Sequence, residues 1–61
     1  MSRLIGKIIE INNKNYQILE DITNPKSSVI RYYARTFDMA LDEASHIIEL
    51  KDGELTAINL N

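Results

Sequence analysis

At 61 residues the chain amounts to one small domain, 1–61, and a chain of that length buries only about 60% of the surface it exposes when unfolded, so its core is small. It has no cysteine, which excludes disulfides, zinc–thiolate sites and thiol catalysis together and fits a cytoplasmic setting. A net charge of −2 excludes a polycation or an acidic tail, and no apolar run approaches the roughly 20 residues that span a bilayer.

Met1-Ser2-Arg3 passes at once into an alternating segment, Leu4 to Ile11, with Lys7 and Glu10 inside it, so no secretory signal pattern opens the chain. That segment and Tyr16 to Ile22 are β-branched runs separated by Asn12-Asn13-Lys14-Asn15, which is a hairpin signal. With Asn13-Lys14 as the two-residue loop, Ile11 faces Tyr16, Ile9 faces Ile18, Lys7 faces Glu20 and Ile5 faces Ile22. Thr23-Asn24-Pro25-Lys26-Ser27-Ser28 then reads as a loop, because proline cannot donate to a ladder and Asn-Pro favours a turn. Val29 to Arg35 has the β-branched and aromatic content of a third strand. Val29, Arg31, Tyr33 and Arg35 lie on one side of it and Ile30, Tyr32 and Ala34 on the other.

The stretch Thr36 to Gly53 reads as the chain's one helix. Phe37, Ala40, Leu41, Ala44, Ile47 and Ile48 recur at the spacing that gathers apolar side chains into one stripe on a 3.6-residue turn. Thr36 is the expected N-cap, Asp38 complements the helix dipole, and Lys51 and Gly53 suit the C-terminal end. Glu54 to Leu60 completes the chain as a last strand. The expected fold is therefore a two-layer α+β domain, β-β-β-α-β. One amphipathic helix packs on one face of a mostly antiparallel four-stranded sheet, and the last strand returns by a right-handed crossover parallel to the third. The competing reading ends the helix near Ser45, makes His46 to Leu50 a strand hairpinned through Lys51-Asp52-Gly53 to the last one, and gives a β-β-β-α-β-β small OB-like barrel.

Thr36-Phe37-Asp38-Met39-Ala40-Leu41-Asp42-Glu43-Ala44, arriving after a strand, resembles the strand-to-helix entry of HicB-type antitoxins, which share a related β-β-β-α-β order. The proline- and glycine-containing segment that those antitoxins carry before the helix is missing, and no site residue is carried over from them. The abundance of Ile, Asn and Lys is what AT-rich codons supply, which points to a bacterial or phage source.

A sheet with one solvated face alternates cleanly between apolar and polar positions, and these strands do not. Leu4 and Ile8 stand opposite in facing to Ile5, Ile9 and Ile11, and Leu55 and Ala57 to Ile58 and Leu60. One helix covers one face only, so the other is expected to be closed by a second copy or a protein partner. Charge is also uneven. Residues 1 to 35 carry Arg3, Lys7, Lys14, Lys26, Arg31 and Arg35 against Glu10, Glu20 and Asp21, whereas residues 36 to 61 carry Lys51 against Asp38, Asp42, Glu43, Glu49, Asp52 and Glu54.

Catalytic chemistry is sparse. His46, the only histidine, would share a helix face with Asp42 and Glu49, but it has no second histidine for a metal site, and no motif surrounds Ser27, Ser28 or Ser45. Gly6 and Gly53 form no phosphate loop. The expectation is a non-enzymatic chain with no metal and no cofactor. Two functional classes follow. The first is a small protein–protein interaction module, an inhibitor, antitoxin or regulatory protein acting by steric occupation of a partner as a homodimer, with Tyr32 and Tyr33 as anchors and Arg31 and Arg35 around them. The second is a nucleic-acid-binding module that stacks and pairs through Arg31, Tyr33 and Arg35.

Overall fold

A computed structural model describes residues 4–37 and 43–60. It contains five strands, β1 (Ile8–Ile11), β2 (Lys14–Asp21), β3 (Ile30–Thr36), β4 (His46–Lys51) and β5 (Glu54–Asn59), in a single antiparallel meander of order β1-β2-β3-β4-β5. The sheet curls into a half-barrel in which β1 and β5 approach one another, while β1 pairs with β2 and β5 with β4. Among the described residues no helix is long and apolar enough to cross a membrane.

The expected helix on a sheet is overturned. Among the described residues there is no helix: β3 runs to Thr36, and the C-terminal half of the supposed helix is β4. Asp38, Ala40, Leu41 and Asp42 of that helix lie outside the described residues. Two local features permit the strand, and pairing with β3 decides for it. Ile47-Ile48 is a β-branched pair that fits either period, and Asp52-Gly53 is a strong two-residue hairpin signal. Both residues of that turn take positive φ, 52° and 78°, between the paired ends Lys51 and Glu54. Gly53 thus serves a hairpin rather than a helix terminus. Thr36 caps nothing: its hydroxyl is buried without a hydrogen-bond partner. With β5 antiparallel to β4, the right-handed crossover disappears too; most of the antitoxin-like stretch lies outside the described residues. His46–Lys51 hairpinned to β5 does occur, but in a simple meander, and among the described residues there is no trace of the helix that the OB-like alternative also required.

The first hairpin forms one residue earlier than expected. Asn12 and Asn13 hold φ of 51° and 66°, the left-handed pair that a type I′ turn demands, and asparagine tolerates that region far better than lysine. Ile9 therefore faces Tyr16, and Ile11 faces Lys14. Lys7 lies beside Ile18, whose N–H donates to the Lys7 carbonyl at 2.9 Å, and not beside Glu20. Moving the loop by one residue shifts each partner by two, so the inward face is unchanged. Before β1, Leu4 to Lys7 forms a β-turn closed by Lys7 N–H to Leu4 O at 2.9 Å, with Gly6 at φ 83° where a type II turn places glycine.

The core lies on the concave side and consists of Ile11, Tyr16, Ile18, Tyr32, Ala34 and Ile48, with Ile9, Ile30 and Ala57 packed against it. Ala34 is fully buried between Ile18 of β2 and His46 of β4. Its methyl leaves room for residues two strands apart to meet over it: the rings of Tyr16 and His46 touch edge to face with centroids 5.0 Å apart. A β-bulge at Leu19, where the β2–β3 register shifts between Ile18 and Glu20, adds local twist to the same region.

The loop between β2 and β3 is fastened by side chains. Asn24 Oδ1 accepts from Lys26 N–H at 2.9 Å, and the Thr23 hydroxyl both accepts from Arg31 N–H and donates to Arg31 O. Asp21 Oδ1 accepts from Thr23 N–H at 2.9 Å, and this hydrogen bonding holds the Asp21 carboxyl below the usual aspartate range.

Two outcomes follow. Ala34→Leu should overfill the concavity and cost about 1–3 kcal/mol in a urea titration, and NMR should find the Tyr16 and His46 rings pushed apart. Because the Asp21 pKa is lowered on folding, its contribution is present above the unfolded-state pKa and fades as pH falls through the folded one. An NMR titration should find the Asp21 carboxyl protonating at lower pH than in Thr23→Ala, where the threonine hydroxyl is gone and only the backbone hydrogen bond remains.

Candidate functional site

Alternation along β3 sends Arg31, Tyr33 and Arg35 to the convex outer face and Tyr32 to the core. Three of the four residues singled out from the sequence therefore share a surface. Tyr32, only 9% exposed, lies on the opposite side of the sheet from them.

The strand pairings extend this surface across the sheet. Tyr33 lies directly opposite Glu20 on β2 and Ile47 on β4, and Ile47 directly opposite Ile58 on β5, so Tyr33, Ile47 and Ile58 form an apolar row over three strands. Ile58 is 46% exposed. The next row towards the Asp52-Gly53 turn is Arg31, Glu49 and Thr56, in which Arg31 Nε and Glu49 Oε2 form an ion pair at 3.1 Å. On the other side Arg35 donates from Nε and Nη2 to Gln17 Oε1 at 3.0 and 2.7 Å, and Gln17 Nε2 donates onward to the Gly6 carbonyl at 3.3 Å. Both guanidinium groups are thus held by neighbouring strands, on either side of the apolar row. Sequence reasoning missed Ile47 and Ile58 because the first was placed on a helix and the second on a strand parallel to β3; the pairing of β4 with both β3 and β5 is what assembles the row.

The polar groups on the concave side form a clamp. Ser45 Oγ lies 2.8 Å from His46 Nδ1 and also accepts from Thr36 N–H at 3.3 Å, joining the end of β3 to the start of β4. A Ser–His contact can generate a nucleophile when a third group orients the imidazole. Here no carboxylate bonds His46 among the described residues: Glu49 faces the other side of β4, and Asp42 lies outside the described residues. Of the group expected on one helix face, Glu49 is therefore parted from His46, and Asp42 falls outside the described residues. Among the described residues no three His, Asp or Glu side chains converge as a metal site.

No protein family, curated protein or solved structure matches the chain. The chemistry of its surfaces is accordingly what bears on its role.

The two faces predict opposite outcomes for neighbouring substitutions. Arg31→Ala breaks an ion pair whose arginine side chain is 49% exposed and should change stability by less than about 1 kcal/mol. Tyr32→Ala should cost about 3–5 kcal/mol by emptying the core beside Ile48, as read from paired denaturant titrations.

Proposed function

We propose that the chain is a small, non-enzymatic protein–protein interaction module that covers a partner's surface with the convex face of its sheet. The observation that carries this reading is the row Tyr33, Ile47 and Ile58, an apolar centre bordered by the Arg31–Glu49 and Arg35–Gln17 pairs. An apolar, aromatic-containing centre with a hydrogen-bonding rim is the anatomy of a binding patch, in which a few residues carry most of the affinity. Inhibitor, antitoxin or regulatory subunit of a bacterium or phage are the roles that such steric action suits, in the cytoplasm, where a cysteine-free chain is at home. Homodimer formation belongs to the same reading, since large apolar side chains, among them Ile8, Phe37 and Ile58, are exposed on so short a chain.

The nucleic-acid alternative draws less support. It asks Arg31 and Arg35 to reach phosphates, yet Arg31 is neutralised by Glu49, and Glu20 stands directly opposite Tyr33.

The test is capture of partners from a lysate of the source cells by the tagged chain, with and without nuclease and at low and high salt, in wild type, Tyr33→Ala and Ile58→Lys. A defined protein should be retained through nuclease and salt and lost by at least about tenfold in both variants, with their melting curves intact. Nucleic acid retained at low salt and released at high salt, or equal capture of protein by both variants, would overturn the reading.

A further inference from the structure

Where β1 and β5 approach without pairing, the half-barrel holds a cavity of about 200 Å³. Its floor is the buried core itself, Ile18, Tyr32 and Ile48. Ile9 of β1 and Leu50 of β4 form the walls, and Leu4 and Leu55, 39% and 43% exposed, form the rim. Among the described residues no charged side chain lines it.

We propose that this cavity is a binding site for a small, uncharged apolar molecule of the size of one aromatic ring. Volume sets the class from both sides. An apolar cavity of about 150 Å³ lined by similar side chains stays dry and accepts benzene, whereas pockets for drug-sized ligands begin at about 300 Å³. A drug-sized ligand is too large to be enclosed in 200 Å³. The lining sets the chemistry. A carboxylate or ammonium would lose its hydration there and gain no counter-charge, so a neutral hydrocarbon group is preferred. Tyr32 adds an aromatic wall against which a ring packs edge-on or offset.

The position gives such a ligand a mechanical effect. Leu4 and Ile9 come from one side of the seam and Leu50 and Leu55 from the other, and among the described residues no strand pairing crosses it. An occupant touching both sides links the two ends of the meander and stiffens the curl. This site lies on the opposite side of the sheet from the Tyr33 row, so its failure and the failure of the interaction reading are separate results.

Toluene is a suitable probe, titrated into the full chain and followed by methyl and backbone NMR and by thermal melting. Saturable shifts should centre on Ile9, Ile18, Ile48, Leu50 and Leu55, and at roughly ten times the Kd the melting temperature should rise by about 5–10 °C. Leu50→Phe, which fills the cavity, should abolish both effects; Leu55→Phe at the rim replaces it if that variant does not fold. Three results would overturn the proposal: shifts that do not saturate or that spread over Tyr33, Ile47 and Ile58; unchanged toluene binding in a folded, filled variant; or shifts at the cavity residues that grow with protein concentration alone, which would mean that a side chain of a second copy occupies it.

Discussion

The smallness of Ala34 is the constraint on which the architecture turns. A flat sheet of five strands would have no interior, because each side chain would meet only its neighbours within the layer. Folding the sheet about β3 creates one, and at Ala34 the inner surface of that strand carries only a methyl group, fully buried. Over that methyl the rings of Tyr16 and His46 come together, so strands that are not neighbours in the sheet are tied to one another. The buried residues gather around this line, and among the described residues none of them is charged. With no second layer among the described residues to supply packing, curvature does the work that a covering helix does in a two-layer domain.

How much of this was legible can be followed residue by residue. Four of the strands stand out in the sequence because Ile, Val, Thr and Tyr cluster between turn residues, and alternation correctly divides Arg31, Tyr33 and Arg35 from Ile30, Tyr32 and Ala34. The fourth strand is hidden by an ambiguity of period. Ile47 and Ile48 lie side by side on a helical stripe, yet in β4 they part, Ile48 into the core and Ile47 to the outer face. Local propensity could not resolve it, since the same Asp52-Gly53 that ends a helix also turns a hairpin. Only the demand of β3 for a partner on its second edge does so, and that is a tertiary effect. The Asn12-Asn13 turn is a milder case in which the loop type was right and its placement was decided by which residues accept positive φ.

The functional surface shows the same division. Its β3 component follows from alternation within seven consecutive residues, whereas Ile47 and Ile58 join Tyr33 only through pairings that the sequence does not announce. The failure of clean alternation did carry a true message, that both faces of the sheet are partly apolar. Its cause differs from the expected one. The apolar inner face closes on itself by curling, and the outer row of Tyr33, Ile47 and Ile58 is left facing outward between two hydrogen-bonded arginines.

The meander order also bears on how the chain reaches its native state. Each strand pairs with the one before it in sequence, so no pairing waits for a distant segment to arrive, and the entropy of closing the loops stays low. The two tight turns, at Asn12-Asn13 and at Asp52-Gly53, make both terminal hairpins local in sequence, and hairpins close on the scale of about 1–10 μs. Between them β3 has no hairpin turn of its own: it is joined to β2 through the proline loop and to β4 through residues 37–45. In the native sheet this central strand is what joins the two terminal hairpins. The buried residue at which they meet is Ala34, paired with Ile18 of β2 on one side and His46 of β4 on the other.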